Sequence, residues 1–258
     1  MSIDPKISCL CVTKGRPHFL QTAVRCFFSQ EYVNKELVVV FPHDDLATAG
    51  LLASLGSSQV VARPMVQAGV SLGTIRNFAI DAASGDYLCT WDDDDWHSPA
   101  RLRYQHAALE LSKKPASVLT RLLLFDVRTA CAYLGYERLW ENTVMFHRDS
   151  VCKAQIRFPD ENLAEDYKFV NALIKANFLF PTLEPTLYVY RLGQHNTCPA
   201  AHIQKLMRHS AVLTEPQSAA VARCFEPSAD PQDVARALLS RDFRSSLGYV
   251  RHSAVPRP

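Results

Sequence analysis

Short runs of continuous apolar residues alternate with segments of helical period through the first half of the chain. Residues 7–13 (ISCLCVT) form an apolar run with β-branched residues at both ends, broken by Lys14-Gly15-Arg16-Pro17. Pro17 suits the start of a helix predicted over 18–29. A second strand is predicted over 36–41, stopped by Pro42, then a helix over 46–55 and a third strand over 59–62. Ser71 is a suitable N-cap for a helix reaching residue 84, with Gly85 just past its end. Residues 87–91 (YLCTW) read as a fourth strand, and 99–112 as the helix after it. Apolar strands separated by helices predict an α/β fold with a mostly parallel sheet covered on both faces.

From residue 117 the pattern changes. Segments 117–127, 130–137 and 143–147 read as strands without long helices between them, so this half is predicted mixed or antiparallel. A helix over 164–176, an extended segment over 186–191 and a helical stretch over 201–213 follow, before a mildly basic tail. No internal repeat is visible.

Apolar residues make up 48% and charged residues 21% of the 258, enough to build a core and too ordinary for a disordered chain. A net charge of +2 is too balanced for a nucleic-acid surface, so no nucleic-acid partner is expected. No apolar run approaches the roughly 18–20 residues of a membrane span, and Met1 to Lys6 lacks the build of a signal peptide. These features predict a cytoplasmic protein, with peripheral contact at the inner face of a membrane left open. Cys9, Cys11 and Cys89 fall inside the predicted strands and no C-x-x-C pair occurs, so the 8 cysteines are expected reduced and structural.

In a parallel α/β sheet, ligands bind beyond the carboxyl ends of the strands. The fourth strand ends in Asp92-Asp93-Asp94-Asp95, flanked by Trp91 and Trp96. Four ionised carboxylates there repel one another, and a hard divalent cation, Mg²⁺ or Mn²⁺, would relieve the repulsion. The plainer alternatives are a solvated acidic turn, or Asp95 as a cap on the next helix. Alternate residues share one side of an extended chain, which makes Asp92 and Asp94 the expected direct participants. Arg76, at the edge of its helix's apolar stripe, is a candidate for phosphate binding. On the helix over 164–176, Phe169, Val170, Leu173 and Ile174 define a stripe with Asp166 near its centre and Glu165 on its flank. Glu165 reads as a carboxylate favoured by the helix dipole, whereas Asp166 reads as a site carboxylate suited to general-base work. His195, in YRLGQHNT, is by itself only a lone histidine after an apolar strand.

Together, ISCLCVTKGRP, ELVVV, SLGTIRNFAIDAASGDYLCTWDDDDWHSPARL, NLAEDYKFV and YRLGQHNT resemble, in that order, the GT-A-fold glycosyltransferases of family 2. The resemblance covers residues 7–197. It implies a Rossmann-like GT-A domain over 1–198, with a nucleotide-binding half at 1–115 and an acceptor-binding half at 116–198. A helical extension and tail at 199–258 would follow. It further implies a metal-dependent, inverting transfer of sugar from a nucleotide-sugar, a UDP-sugar being favoured, to an acceptor hydroxyl. By that similarity Thr13 and Arg16, with Asp44 or Asp45, would hold the donor nucleotide. Arg76 would support its phosphates, and Asp92, Asp93 and Asp94 would form the D-x-D region with Asp94 as metal ligand. Asp166 would be the catalytic base and His195 a histidine near the metal. The family's nucleotide-reading Asp usually follows the second strand directly, whereas Phe41-Pro42-His43 intervene here. A sugar-nucleotide pyrophosphorylase and a non-catalytic sugar- or nucleotide-binding module are the competing readings.

Overall fold

The computed structural model describes residues 4–67, 69–193, 196 and 198–248. The first half is β1 (Ile7–Val12), α1 (Pro17–Phe28), β2 (Lys35–Pro42), α2 (Leu46–Ser54), β3 (Val60–Met65), α3 (Leu72–Ala82) and β4 (Tyr87–Thr90). Then come β5 (Trp96–His97), α4 (Arg101–Ser112), β6 (Ala116–Leu119), β7 (Leu123–Asp126), β8 (Cys131–Leu134), β9 (Met145–His147) and α5 (Arg148–Lys153). The chain continues through α6 (Glu165–Lys175), β10 (Leu179–Thr182), β11 (Tyr188–Leu192), α7 (Ala200–His209), β12 (Ala211–Val212), α8 (Glu215–Ala222), α9 (Pro231–Leu239) and α10 (Arg241–Ser246).

A seven-stranded sheet runs in the order β10-β6-β9-β4-β1-β2-β3, and a five-stranded sheet in the order β12-β8-β7-β11-β5. In the larger sheet only β9 is antiparallel to its neighbours. This is the expected mostly parallel α/β architecture. The chain goes from β1 outward to β2 and β3, then returns to place β4 on the other side of β1. That reversal opens a crevice at the carboxyl ends of β1 and β4, where the crossovers leave in opposite directions. Thr13 and Asp92 stand at those ends.

The apolar run over 117–127 is two strands, β6 and β7, in different sheets. Every residue of both is buried, and the break falls at the half-buried polar pair Thr120-Arg121 between them. Strand β3 extends through Pro64, and β10, which the pattern misses, contains Pro181. Both are edge strands, where a missing backbone N–H costs no ladder bond. Gly85 does not cap α3 in a left-handed turn. A Cβ there would lie 2.6 Å from Ser8 Oγ and 2.8 Å from the Lys6 carbonyl oxygen, so close backbone approach requires it.

Hydrophobic packing ties the last helices to the first. Val221, Cys224, Val234, Leu238 and Phe243 share a core cluster with Leu20 and Phe27 of α1. Arg244 reaches the buried Glu184 carboxylate at 2.7 Å, and Gln232 Nε2 donates to the Ser29 carbonyl at 2.7 Å. Cys9, Cys11, Cys26, Cys89 and Cys224 are buried free thiols. Among the described residues, no helix is long and apolar enough to cross a membrane.

One close approach sets the position of the site. The first turn of α3 presses on the segment before α6: Ser71 Oγ, which caps α3, also donates to Asp160 Oδ1 at 2.5 Å. Leu72 N donates to Asn162 Oδ1 at 2.9 Å, and Gly73 N to the Glu161 carbonyl at 3.0 Å. A Cβ on Gly73 would stand 1.8 Å from the Pro159 carbonyl oxygen. Gly73→Ala should therefore cost about 1–3 kcal/mol in denaturant unfolding, because backbone must move. Gly50→Ala, in α2 with nothing within 4 Å, should be neutral or stabilising by about 0.5–1 kcal/mol. Equal effects of the two would contradict this packing.

Candidate active site

Beyond Thr90 the chain leaves the sheet. Trp91 N still donates to the Leu10 carbonyl at 2.9 Å, and Thr13 N to the Val40 carbonyl at 3.0 Å, so both strand ends are fixed. The four aspartates that follow alternate in environment: Asp93 and Asp95 are buried, Asp92 and Asp94 half-buried. Asp93 accepts from Thr13 Oγ1 at 2.5 Å and from Arg16 Nη2 at 2.6 Å. Asp95 does not cap α4. It accepts from Tyr188 Oη at 2.5 Å and from the Arg191 backbone N at 2.8 Å. Asp94 has Arg16 Nη1 at 3.4 Å, and Asp92 has Arg76 Nη2 and Tyr188 Oη, each at 3.4 Å.

The turn therefore holds more negative charge than these contacts neutralise. Burial pushes the Asp94 carboxyl up to about 7, reinforced by Asp93 and Asp92 and opposed by Arg16. Burial likewise raises Asp93 to about 6, against the pull of Arg16 and the Thr13 hydroxyl. Asp95 is raised by burial and by Asp94 and Asp92, against its bonds from Tyr188 and Arg191.

Helices α3 and α6 supply further parts. Arg76 Nε donates to Glu165 Oε1 at 3.1 Å, and the guanidinium lies over the Phe158 ring, 5.8 Å from its centroid. Burial alone would lower the Arg76 pKa, but Asp92, Glu165 and Asp166 together raise it. Helix α6 starts after Ala164, whose φ of 59° turns the chain sharply into the first turn. Here the structure alters the reading of the helix face. Ile174, counted in the apolar stripe, is 45% exposed, and Glu165, on the stripe's flank, is buried by a contact from another helix. Glu165 is 4% exposed and bound to Arg76; it is no surface dipole carboxylate. Asp166 is half-buried, accepts from Tyr167 N at 2.7 Å on Oδ1, and has no partner on Oδ2 among the described residues.

A cavity of about 510 Å³ is lined by Thr13, Arg16, Arg76, Asp92, Asp93 and Asp94, and equally by Glu165 and Asp166. Seven of the residues singled out from sequence thus share one space. Asp44 and Asp45 are not among its lining. Asp45 caps α2, accepting from Thr48 N at 3.1 Å and Thr48 Oγ1 at 2.7 Å, and also takes Gly15 N at 2.7 Å. Asp44 is exposed. His195 lies outside the described residues. Sequence reasoning did not single out Glu165, nor Arg138, Trp140, Glu141 and Asn142, which also line the cavity. Arg138 pairs with Glu141 at 2.5 Å and lies 5.1 Å from the Trp140 ring centroid. Their only sequence signal is a charged pair three residues apart around a tryptophan. Asp94 also borders a neighbouring cavity of about 300 Å³ that holds Arg191, whose guanidinium lies over Phe19 at 4.6 Å and Phe225 at 5.3 Å.

Comparison with known proteins gives the family and the fold. The profile of glycosyl transferase family 2 matches residues 8–154. EpsE of Bacillus subtilis (strain 168), named as a glycosyltransferase, is 29% identical over 131 residues, covering 49% of this chain and 46% of that relative. The chain thus spans less than half the length of that relative. Among solved structures, TarS 1–349 of S. aureus in complex with UDP-GlcNAc is similar with a TM-score of 0.62 at 14% identity, over 93% of this chain and 73% of that one. The mannosyltransferase PcManGT from Pyrobaculum calidifontis, in complex with GDP-Man and Mn²⁺, gives a TM-score of 0.61 at 13% identity, over 96% of this chain and 73% of that one. At such identities the structural likeness establishes the GT-A-type fold. With the family profile matching more than half of the chain, this protein belongs to glycosyl transferase family 2 and is an enzyme of that family.

Proposed function

We propose that this chain transfers a sugar from a nucleotide-sugar, with a UDP-sugar the donor we favour, to an acceptor hydroxyl with inversion of configuration, and that the transfer depends on Mn²⁺ or Mg²⁺. The observation that carries this reading is the single cavity lined both by Asp92–Asp94 and by Asp166. A binding module needs the first set; only a transferase needs the second beside it.

A hard divalent ion suits the donor set. The turn offers carboxylate oxygens with a surplus of buried negative charge, and the Asp94 carboxyl is raised by burial and by its acidic neighbours. Among the described residues no group of three or more His, Cys, Asp or Glu side chains is placed to hold a metal ion, so an ion here would rest on fewer protein ligands and on the donor. Few protein ligands leave coordination positions for diphosphate oxygens, the usual arrangement for Mg²⁺. Asp94, with Asp92 beside it, would hold the ion; His195 enters as a ligand on sequence alone. Once bound, such an ion neutralises the diphosphate and stabilises the charge on the departing nucleoside diphosphate.

The chain's own residues do the rest. Arg16 and Thr13 are engaged by Asp93, so they shape the loop after β1 on which the donor rests. Arg76, anchored by Glu165, presents fixed positive charge beside Asp92. Asp45 ties that loop to the one after β2 through Gly15, and the exposed Asp44 is the carboxylate left to meet the nucleotide. Glu165 is occupied by Arg76, so Asp166, with one oxygen unpartnered among the described residues, is the base. It takes the proton of the acceptor hydroxyl as that oxygen attacks the anomeric carbon from the face opposite the leaving group. The carbon–oxygen bond to the diphosphate breaks, the new glycosidic bond forms, and the proton remains on Asp166. The free thiols among the described residues support placing this reaction in a reducing, cytoplasmic setting.

Incubation with Mn²⁺ and a panel of nucleotide-sugars, followed by detection of released nucleoside diphosphate, tests the reaction. Formation of nucleoside triphosphate from added pyrophosphate would instead assign a pyrophosphorylase. Asp166→Asn should lower turnover by roughly 10²–10⁴-fold while leaving nucleotide affinity nearly intact. A collapse of donor binding would make Asp166 a structural residue. Asp94→Ala should abolish the Mn²⁺-dependent part of nucleotide binding in calorimetry. Undiminished metal dependence would remove Asp94 from the site.

A further inference from the structure

The aspartate turn rests on a buried cation. Arg101, the first residue of α4, is fully buried, and its guanidinium lies between the rings of Trp91 at 5.4 Å and Tyr188 at 4.9 Å. Its Nη1 meets His97 Nδ1 at 2.5 Å and its Nε donates to Gln105 Oε1 at 3.1 Å. Both partners are uncharged acceptors, and Nη2 has no hydrogen-bond partner among the described residues. A guanidinium stays protonated in proteins, and burying one without an adjacent carboxylate costs several kcal/mol. The nearest surplus of opposite charge in the sequence is the turn six to nine residues upstream, and two side chains connect them.

His97 is one link. Because the permanently protonated Arg101 can only donate, His97 Nδ1 must accept, which leaves the ring proton on Nε2. That N–H donates to the Asp92 carbonyl at 3.2 Å, while the ring stacks on Trp91 with centroids 3.8 Å apart. Tyr188 is the other link. Its ring packs against Arg101, its hydroxyl donates to Asp95 at 2.5 Å, and Asn142 donates to that hydroxyl at 2.9 Å. One guanidinium thus sets the tautomer that holds the Asp92 peptide and orders the ring that holds Asp95, the two ends of the turn.

We infer that Arg101 is a positioning residue for the cation site, acting through His97 and Tyr188 to fix the geometry in which Asp92 and Asp94 face the cavity. The inference rests on the metal-dependent reading above. Outer residues that orient metal ligands typically affect metal affinity by about 10–100-fold.

The test is Mn²⁺ binding followed by electron paramagnetic resonance in the presence of UDP or GDP, on full-length protein, with cooperative thermal unfolding confirming each variant's fold. Arg101→Met should weaken Mn²⁺ binding by about 10-fold or more. Arg101→Lys, which keeps a donor for His97 Nδ1, should recover part of that loss. If Arg101→Met does not fold, His97→Phe serves instead: it keeps a ring on Trp91, removes the donor to Asp92, and should weaken Mn²⁺ binding similarly. A folded Arg101→Met or His97→Phe that binds Mn²⁺ as the wild type does overturns the inference and leaves the metal reading standing. A wild-type protein that binds no Mn²⁺ with either nucleotide overturns both.

Discussion

Four consecutive carboxylates can be held at the end of a buried strand only if each is given a separate way to carry its charge. Here the alternation of an extended chain divides them. Asp93 and Asp95 turn inward and are bound by Thr13, Arg16, Tyr188 and the Arg191 backbone. Asp92 and Asp94 are left at the cavity with only long side-chain contacts, among the described residues, to Arg76, Arg16 and Tyr188. The inward pair builds the turn, and the outward pair keeps an unmet demand for positive charge. This electrostatic imbalance is the basis for proposing that the crevice between β1 and β4 takes a cation and a diphosphate.

Every neighbouring element can be understood as support for that turn. The switch in strand order brings Thr13 beside it, and α3 brings Arg76. The contact of Gly73 with the Pro159 carbonyl presses the start of α3 against the segment leading into α6. Glu165 and Asp166, adjacent in sequence, thereby receive different work. The first is buried against Arg76; the second stays half-open to the same cavity. Beneath the turn, Arg101 and His97 form its floor.

Much of this was legible in the sequence. Alternating apolar strands and helices gave the parallel half, and the aspartates after YLCTW, Arg76 and Asp166 marked the crevice. What escaped has physical reasons. Two strands buried on both faces read as one run over 117–127, because neither has a period of its own and the polar pair Thr120-Arg121 between them is too short a break to read as a loop. The helical period puts Asp166 nearer the apolar axis than Glu165, yet Glu165 is the more buried, because Arg76 of α3 lies against it, a contact the period of α6 alone does not show. Asp95 looked like a helix cap because its partners Tyr188 and Arg191 lie almost a hundred residues away in sequence. Separation in sequence also conceals the wall formed by Arg138, Trp140 and Glu141. Asp45 fits a local rule, capping α2, and that assignment moves attention for the nucleotide to Asp44.

The central claim is that the aspartate turn and Asp166 address the two ends of one reacting bond. A crystal structure with Mn²⁺ and a non-reactive nucleotide-sugar analogue, chosen by binding assay, tests it most directly. The account predicts an anomalous manganese peak coordinated by the Asp94 carboxylate and the diphosphate, with the anomeric carbon's free face turned toward Asp166. A metal bound away from the turn, or a sugar whose free face points away from Asp166, would contradict it.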